Sequence, residues 1–371
     1  MKGLYYFVRK TYQFYQSKPI FERLGGKIIT ITEFPLTFFY FLLRYGPFRV
    51  RMVRKRKLSK IASFAKGLIL CHSADNYVPQ SNNYMRIFVY HGTSDKMFTM
   101  PDKRLNLDWF DYYFLSGDKD LYKLKQFSHN SERLDNRIVK IGMFRSDKIF
   151  KGDYDREKIL KKYKIKPDGK KIILYAPTWK WGGGTLGTCF DKFASEITKK
   201  YILIIRPHAN DRKNIKYISK RLKKNRNENL YFFPKQSQDV MDFICISDLM
   251  IGDHSAVNYD FVLTLKSMVF VKSDTEDVFI PPDEYNVKLC GPMHDPENDD
   301  ILKKIEEAFS NPLYSNRMKY LVQNSFYYND GHAVDRACSF IVDKLSEMGM
   351  IDRDAALRKL KKRFIYLDNY K

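Results

Sequence analysis

The sequence lacks several patterns that would assign a function at once. Its five cysteines are scattered and form no CxxC pair, which excludes a disulfide framework and a zinc ribbon and favours a reducing compartment. The GxxxxGK[ST] spacing of a P-loop and the GxSxG spacing of a hydrolase elbow are also absent. No cluster of ligand-type residues stands out, because Asp153 and Asp155 precede a helix and are best explained as caps. We therefore expect neither a metal nor a cofactor.

Long apolar runs are missing as well. No apolar stretch follows Met1 and Lys2, so we expect no signal peptide. The most apolar segment, Ile28–Leu43, is shorter than the roughly 20 residues that a spanning helix needs. It is consistent either with a core strand followed by a helix or with a segment that lies in a membrane interface.

Acidic residues are scarce near the amino end. Residues 1–66 hold 15 Lys and Arg but only Glu22 and Glu33, within a chain whose net charge is +23. The positive potential of such a segment favours the binding of phosphate groups, whether in lipid headgroups, nucleic acid or a polyphosphate substrate. The polybasic run Arg49–Lys60 directly follows the apolar segment, a combination typical of docking on an anionic membrane. A solvated basic helix face is the alternative.

Apolar strand-like segments alternate with Lys-rich helical segments, which predicts parallel sheets with crossover helices. We expect two doubly wound, Rossmann-like α/β domains that face a cleft, over residues 1–147 and 148–371, with C-terminal helices that cross back over the first domain. The expected strands lie within residues 67–73, 84–92, 111–117, 137–142, 170–179, 200–208, 230–235, 247–255 and 267–274.

Polar residues follow several of these strands. His72, His91 and His208 each end a strand, and Arg206 precedes the last of them. Ligands of open α/β sheets bind beyond the carboxyl ends of the strands, so these side chains are candidates for a site. His91 has the chemistry of a general base, and Arg206 can bind two phosphate oxygens.

The strongest local signal is ISDLMIGDHSAVNYDFVLTLK (246–266). A strand ends at Gly252, a turn follows, and an apolar helix is expected to begin at about Ala256 with Ser255 as its N-cap. The free N–H groups of such a helix end can bind phosphate. An ordinary strand-to-helix turn with a serine cap is the other interpretation, and the residues alone leave both open.

Six motifs in order resemble those of the CDP-glycerol:glycerophosphotransferases of teichoic-acid and capsule assembly. YHGTSDK (90–96) is similar to the family's W-H-G-T-P-x-K, and ILYAPTWK (173–180) to its I-L-Y-A-P-T-W-R. The remaining matches are GMFRSD (142–147) to G-x-P-R-x-D, RPHAN (206–210) to R-x-H-P, ISDLMIGDHSAVNYDF (246–261) to I-S-D-x-L-I-T-D-Y-S-S-x-x-F-D-F, and NDGHAVDRACSFI (329–341) to D-G-x-A-x-x-R. The resemblance covers roughly residues 60–345.

This resemblance implies a GT-B-like fold with the donor nucleotide mainly in the second domain. It implies transfer of a polyol phosphate, most simply glycerol phosphate, from a CDP-glycerol or CDP-ribitol donor to a hydroxyl of a lipid-linked glycan or polyol-phosphate acceptor, with release of CMP. It also implies a peripheral protein at the cytoplasmic face of the bacterial cell membrane, with the anionic membrane surface as a partner.

The resemblance also implies roles for individual residues. His91 would be the general base, and His208 a second catalytic residue that holds the donor diphosphate. Arg145 and Asp147 would belong to an interdomain segment. Donor-binding roles fall to Thr178, Arg206, Asp253, Ser255, Ala256 and Asp260.

The chain departs from the family pattern where the donor diphosphate would bind. The family's Thr-Asp-Tyr-Ser-Ser is Gly252-Asp253-His254-Ser255-Ala256 here, so one hydroxyl donor is lost and a histidine replaces a tyrosine. We therefore keep two alternatives. One is a GT-B glycosyltransferase or nucleotide-sugar epimerase with another nucleotide donor. The other is a nucleic-acid-binding protein, which no nucleic-acid-binding motif supports, so we expect no nucleic-acid partner.

Overall fold

A computed structural model of the chain describes residues 1–72, 78–89, 93, 95, 109–126, 128, 131–179, 184–224, 227–235, 238–273 and 280–370. The chain divides into two compact units. Unit 1 comprises Met1–Gly92, Phe98–Lys151 and Phe326–Lys371, and unit 2 comprises Thr93–Met97 and Gly152–Ser325. The first unit ends four residues after the domain boundary expected from the sequence, and it also includes the carboxyl-terminal 46 residues that we had grouped with the second domain.

The described part of unit 1 contains a seven-stranded parallel sheet in the order β3-β2-β1-β4-β5-β6-β7. Its strands are β1 (Leu4–Phe7), β2 (Lys27–Ile31), β3 (Val50–Val53), β4 (Gly67–Cys71), β5 (Tyr84–Val89), β6 (Tyr112–Leu115) and β7 (Ile138–Lys140). Its helices are α1 (Thr11–Leu24), α2 (Pro35–Tyr45), α3 (Asp118–Gln126), α4 (Asp147–Phe150), α12 (Ala333–Glu347) and α13 (Arg353–Leu360).

Both faces of this sheet are covered, which explains why its central strands are apolar throughout. In β1, Leu4 and Tyr6 join one apolar cluster, whereas Tyr5 and Phe7 join the cluster on the other face. Side chains of a strand alternate between the two faces, so a strand buried on both sides needs a continuous apolar run.

The carboxyl-terminal segment packs into the core of unit 1. Helix α12 is buried along most of its length, and the Phe340 ring lies 4.9 Å from the Tyr112 ring and 5.4 Å from the Phe114 ring. This packing confirms the expected return of the C-terminal helices to the first domain.

The described part of unit 2 contains a six-stranded parallel sheet in the order β10-β9-β8-β11-β12-β13. Its strands are β8 (Ile172–Tyr175), β9 (Ile202–Ile205), β10 (Leu230–Phe232), β11 (Leu249–Gly252), β12 (Ser267–Val271) and β13 (Met293–His294). Its helices are α5 (Arg156–Tyr163), α6 (Leu186–Glu196), α7 (Arg212–Lys224), α8 (Val240–Ile246), α9 (Val257–Val262), α10 (Ile301–Ser310) and α11 (Pro312–Ser325).

Two α/β units with parallel sheets confirm the fold class expected from the alternation. The apolar segment Ile28–Leu43 is a strand and a helix, β2 and α2, and the basic run that follows it contains β3 and a 3-10 helix over Lys55–Ser63. Within the described ranges, no helix is both long enough and apolar enough to cross a bilayer.

The N-cap expected at Ser255 is wrong by one residue. Helix α9 begins at Val257, and its N-cap is Ala256, whose backbone is already helical. The Ser255 hydroxyl accepts only a long hydrogen bond of 3.4 Å from the Val257 N–H. In contrast, Asp155 caps α5 as expected, because its carboxylate accepts a hydrogen bond of 2.9 Å from the Lys158 N–H.

All five cysteines are reduced and buried in the interiors of the two units. Burial raises the pKa of the Cys71 thiol and that of the Cys290 thiol to about 12, so both remain protonated at neutral pH. The cysteines therefore behave as small apolar side chains here.

Candidate functional site

The carboxyl ends of three neighbouring strands in unit 2 bring the predicted donor-binding residues to one edge of the sheet. Strand β8 lies between β9 and β11, and the parallel register pairs Leu174 with both Ile204 and Met250. The loops that follow these strands carry Thr178, Arg206 with His208, and the segment that begins at Asp253. This is the edge where ligands of open α/β sheets bind.

The Asp253 carboxylate ties two of these loops together. It is fully buried and accepts hydrogen bonds of 2.9 and 3.0 Å from the Thr178 N–H. The Thr185 N–H and hydroxyl, at the start of α6, both lie 3.2 Å from the same carboxylate. Asp253 therefore fixes the loop after β8 relative to β11, and its oxygens face the protein backbone.

Gly252 allows the turn after β11 to close tightly. A Cβ at this position would lie 2.0 Å from the Asn258 Oδ1, a distance that no side chain tolerates. The Asn258 side chain donates a hydrogen bond of 2.7 Å to the Asp253 carbonyl and so holds the turn against α9. The replacement of the family's threonine by glycine is thus matched by the close approach of Asn258.

The Arg206 guanidinium is held by carbonyl oxygens of its own loop and of the loop after β10. It donates to the carbonyl oxygens of Pro207 at 3.0 Å, Phe233 at 3.2 Å and Gln238 at 3.0 Å. These bonds join the loop after β9 to the loop after β10. The side chain thereby gains a positioning role, in addition to the diphosphate contact that the resemblance implies.

The His208 ring is oriented by its own loop and by Trp179. The Asn210 N–H donates to the His208 Nδ1 at 3.2 Å, so in the neutral ring the proton resides on Nε2. The ring stacks on Trp179, with the centroids 6.1 Å apart and the planes inclined by 19°. An imidazole held in this way can donate a hydrogen bond from Nε2 to a phosphate oxygen.

A buried contact connects two of the sequence motifs within unit 2. The Tyr259 hydroxyl of α9 lies 2.8 Å from the Asp95 carboxylate and 2.8 Å from the Tyr285 carbonyl. Asp95 belongs to the motif YHGTSDK, and Tyr259 belongs to the motif that contains Asp253. Burial raises the pKa of Tyr259 well above its ordinary value, so its hydroxyl remains a hydrogen-bond donor.

Lys288 places a half-buried cation next to this contact. Its Nζ lies 3.4 Å from the Nε2 of His254, which occupies the place of the family's tyrosine. Burial lowers the pKa of Lys288, and the negative charges of Asp95 and Asp253 oppose that shift. No sequence motif pointed to Lys288, because it lies in a short 3-10 helix outside every motif.

The other predicted residues are placed as follows. Ser255 and Ala256 lie in the half-exposed turn before α9, and Asp260 is buried within α9. His91 lies outside the described residues. His72, which also ends a strand, is buried in unit 1, where its Nε2 lies 2.6 Å from the Ser17 hydroxyl and its Nδ1 lies 3.1 Å from the Phe7 carbonyl.

Asp147 binds the start of a helix in unit 1. Its buried carboxylate accepts hydrogen bonds of 2.9 Å from the N–H groups of both Ala333 and Val334 in the first turn of α12. Burial nevertheless raises the pKa of Asp147 to about 6, while these hydrogen bonds oppose the shift. Its neighbour Arg145 lies in the 3-10 helix Phe144–Ser146. The interdomain role of both residues stays a prediction.

One glycine-rich signal went unrecognised in the sequence. GGGTLG (182–187) has GxGxxG spacing between β8 and α6, although six residues separate its first glycine from the end of the strand. A Cβ at Gly184 would lie 2.3 Å from the Thr178 carbonyl, so only glycine allows this approach. Among the described residues, no group of three or more His, Cys, Asp or Glu side chains is arranged to hold a metal ion.

Comparisons with known proteins agree with the motif assignment. The family model described as CDP-glycerol:poly(glycerophosphate) glycerophosphotransferase matches residues 47–343. A teichoic acid ribitol-phosphate polymerase, TarK, of Staphylococcus aureus is 26% identical over 221 residues, which are 54% of this chain and 40% of the relative. A teichoic acid poly(glycerol phosphate) polymerase of Bacillus spizizenii is 25% identical over 229 residues, 54% of each chain. This chain thus spans about half the length of the curated relatives that it matches.

The fold has solved counterparts. The wall teichoic acid polymerase TagF has a TM-score of 0.69 at 19% identity, covering 94% of this chain and 90% of that one. MnaA of Staphylococcus aureus, solved with UDP, has a TM-score of 0.61 at 14% identity, covering 95% of this chain and 98% of that one. At these identities the likeness establishes the fold alone.

Proposed function

Because the chain belongs to the CDP-glycerol:poly(glycerophosphate) glycerophosphotransferase family, we propose that it transfers a polyol phosphate from a CDP-activated donor to an acceptor hydroxyl. The donor is CDP-glycerol or CDP-ribitol, and the acceptor is a lipid-linked glycan or a polyol-phosphate chain. The reaction releases CMP and serves the synthesis of a teichoic-acid-like or capsule polymer. Unit 2 carries the nucleotide donor, and unit 1 lies on the acceptor and membrane side.

One observation carries this proposal: the loops after three adjacent strands in unit 2, together with the 3-10 helix of Lys288, bring polar side chains to a common edge of the sheet. The Nε2 of His208 and the ammonium group of Lys288 supply polar hydrogens, and Asp253 holds the loop of Thr178 in place. Transfer of a phosphoryl group depends mainly on positioning and on neutralising the charge of the phosphates. These groups meet that need through the chain's own side chains.

The chemistry of the step balances without a co-reactant. The acceptor hydroxyl oxygen attacks the phosphorus that carries the polyol, and the bond from that phosphorus to the bridging oxygen breaks. CMP leaves with the bonding electron pair, and the hydroxyl proton passes to a base. We assign the base to His91 on the family motif, and we assign stabilisation of the departing phosphate to His208.

The donor-binding residues divide into two groups. We assign direct contacts with the diphosphate to Thr178, Arg206, Ser255 and the N–H group of Ala256, in line with the motifs. Asp253 and Asp260 are carboxylates and would repel the diphosphate, so we assign them to positioning. The internal hydrogen bonds of Asp253 support this division.

A nucleotide panel tests the donor assignment. We expect CDP-glycerol or CDP-ribitol to raise the melting temperature, because a ligand that binds the native state stabilises it by RT ln(1+[L]/Kd). UDP-sugars and GDP-sugars serve as the comparison. A rise with UDP-sugars alone would overturn the proposal and favour a glycosyltransferase or an epimerase.

Turnover tests the roles of the two histidines. We expect CMP release from the preferred CDP-polyol with a polyol-phosphate acceptor to fall at least 100-fold in His91→Ala and in His208→Ala, on the scale of general acid–base contributions. His332→Gln is the matched control, because His332 pairs with Asp335 in unit 1 and belongs neither to the donor-binding loops nor to the motif of His91. Equal activity of His91→Ala and the control would refute the assignment of the base.

We further propose that unit 1 docks on the anionic cytoplasmic face of the bacterial cell membrane as a peripheral protein. Helix α2 and the loop after it expose large apolar side chains: Leu36 at 82%, Phe39 at 52%, Leu43 at 88% and Phe48 at 91%. The exposed cations Arg49, Arg51 and Arg54 follow directly along the chain. An apolar face beside a basic segment fits an interface with anionic lipid.

A further inference from the structure

A basic cavity lies at the amino ends of β1 and β2 in unit 1, at the opposite edge of the sheet from the strand end that precedes His91. Its volume is about 450 Å³. Five cationic side chains from four separate segments of unit 1 line it, together with several apolar side chains. They are Lys2, Lys27, Arg49, Lys359 and Arg363.

The charge of this cavity is not balanced by neighbouring carboxylates. Within the described ranges, none of the five cations has a carboxylate partner. The acids nearest to the cavity segments in sequence are engaged elsewhere: Glu22 pairs with Lys18, Asp352 accepts the Ala355 N–H at the start of α13, and Asp354 pairs with Arg353. Arg49 lies over the Phe21 ring at 5.9 Å, and Arg363 donates to the Arg23 carbonyl at 3.3 Å. Like charges gathered in this way destabilise the fold unless an anion neutralises them.

Three of the cations converge on one point. Burial lowers the pKa of the Met1 amino group, and the charges of Arg49, Lys359 and Arg363 lower it further. All three cations therefore interact with the charge of one group of Met1, a residue that also lines the cavity. A positive potential of this kind, reached from outside, attracts a phosphate group.

The apolar part of the cavity restricts the class of ligand. Leu24, Ile351 and Leu360 are apolar lining residues of the cavity, and so is Phe48, whose side chain is exposed. A second cavity of about 270 Å³ adjoins it, shares Lys27, Phe48 and Arg49 with it, and extends toward Phe64. A small sugar phosphate would leave this apolar surface uncovered, whereas a lipid covers it with glycerol and acyl carbons.

We propose that the cavity binds the phosphate headgroup of an anionic phospholipid, with the first acyl carbons against Phe48. The exposed Phe48 follows α2 directly along the chain, so a lipid bound here continues the apolar face formed by Leu36, Phe39 and Leu43. The proposal extends the membrane docking proposed above from a general electrostatic attraction to a defined lipid site. It does not depend on the transferase activity.

Calorimetric titration of the full chain with a soluble short-chain lipid tests the site without a bilayer. We expect dihexanoylphosphatidylglycerol, below its micelle concentration, to bind at least ten-fold more tightly than dihexanoylphosphatidylcholine, inorganic phosphate or glycerol phosphate. Equal binding of the anionic and zwitterionic lipids would overturn the proposal. Tighter binding of inorganic phosphate or glycerol phosphate would overturn it too, in favour of a phosphate site.

Matched variants locate the binding. In the triple variant Lys27→Gln, Lys359→Gln and Arg363→Gln, we expect the affinity for the anionic lipid to fall at least ten-fold. The double variant Lys361→Gln and Lys362→Gln removes exposed charges from the same segment outside the cavity and should bind as the native chain does. Equal losses in both variants would show a diffuse charge effect and refute the site.

Turnover with a soluble acceptor separates this inference from the proposed function. The triple variant should release CMP at the native rate, because none of its positions lies in the proposed donor site. Native turnover combined with no lipid binding would refute the lipid site alone. Lipid binding without turnover in the native chain would refute the transferase proposal alone.

Discussion

Two buried carboxylates, Asp253 and Asp147, show how single side chains position longer segments in this protein. Each accepts backbone N–H groups from a distant part of its own unit, Asp253 from Thr178 and Thr185, and Asp147 from the first turn of α12. A buried N–H that loses its acceptor keeps the full cost of desolvation. Replacement of either carboxylate therefore affects both partners of each hydrogen bond.

Asp253→Asn tests the hydrogen bonds by which Asp253 joins the loops after β8 and β11. The amide retains one oxygen but places an NH2 group against the N–H groups that Asp253 now accepts. We expect the free energy of unfolding in urea to fall by about 1–3 kcal/mol. Asp300→Asn, at the exposed N-cap of α10, is the control and should lose less. Equal stability of Asp253→Asn and the native chain would show that these hydrogen bonds do not stabilise the fold.

Asp147 should make stability depend on pH. Its pKa is raised from the usual aspartate value to about 6 in the folded chain, so the folded state binds the proton more tightly than the unfolded state does. Its contribution is complete below the unfolded pKa of about 3.8 and is lost as the pH rises through about 6, by about 3 kcal/mol. Urea unfolding at pH 4.5 and 7.5 should show about 2 kcal/mol of this fall, because the unfolded carboxyl group is already mostly ionised at pH 4.5.

The comparison variant is Asp147→Asn, which cannot ionise. We expect the fall in unfolding free energy between the two pH values to be smaller in the variant than in the native chain. The difference between the two proteins isolates Asp147 from the other carboxylates, several of which have lowered pKa values and act in the opposite direction. Parallel pH profiles would show that Asp147 ionises normally.

At the scale of single residues, the motifs predicted which side chains gather at one edge of the sheet in unit 2. They did not predict which atoms each side chain contacts. Thr178, Arg206, His208 and Asp253 follow neighbouring strands as the pattern required. The internal bonds of Asp253 and the carbonyl contacts of Arg206 depend on loop geometry, which no motif spacing specifies. Lys288 was missed because it reaches the site from a segment about 30 residues farther along the chain.

At the scale of elements, α2 is a helix with apolar residues on both of its sides. Phe41 is buried and packs on Phe14, with the ring centroids 5.0 Å apart. Leu36, Phe39 and Leu43 point outward instead. A surface helix of a globular protein normally has one apolar stripe and a polar opposite face, so the outward side of α2 calls for a covering surface.

Removal of the outward side tests whether that surface is a membrane. We expect the triple variant Leu36→Asn, Phe39→Asn and Leu43→Asn to bind vesicles that contain phosphatidylglycerol at least ten-fold more weakly, measured by sedimentation. Burial of each such side chain contributes about 1.5–3 kcal/mol. Leu313→Asn, at an exposed position of α11, is the control and should bind normally. Equal binding of both variants would exclude α2 as the docking element.

Strands were predictable where their apolar runs were long and less so at the edges of the sheets, although the buried interior strand β1 was not anticipated either. The strands β4 to β12 lie within the segments expected from the sequence. Strand β3 was not anticipated, because its middle residues Arg51 and Met52 face solvent while only Val50 and Val53 are buried. Edge strands often carry charged side chains, and these weaken the apolar signal. The two-residue strand β13 is too short for any pattern.

At the scale of the whole molecule, the chain forms two units and the sequence crosses between them more than once. Unit 1 takes both the amino-terminal and the carboxyl-terminal segments, whereas most of unit 2 is the continuous stretch Gly152–Ser325. The periodicity predicted two sets of strands and helices. From the sequence we expected the terminal helices to cross back over the first domain but counted them with the second, whereas they belong to unit 1. That assignment depends on contacts such as those of Phe340, which are distant in sequence.

Hydrogen exchange of the full chain should separate the roles of the two units. We expect CMP to slow exchange in the loops after β8, β9 and β11 of unit 2, and to leave β1 and β2 of unit 1 unchanged. Ordering of backbone N–H groups around a bound phosphate gives this protection. GMP at the same concentration is the control. Protection confined to unit 1 would contradict donor binding in unit 2.

The burial of all five thiols has a practical consequence. Maleimide reagents react with accessible thiolates, and Cys71, Cys189, Cys245, Cys290 and Cys338 offer none at the surface. The native cysteines should therefore not react when a cysteine introduced at the surface is labelled. A single cysteine introduced into α2 and another introduced into α11 would accept a donor and an acceptor dye, which would turn the separation of the two units into a distance that fluorescence can follow.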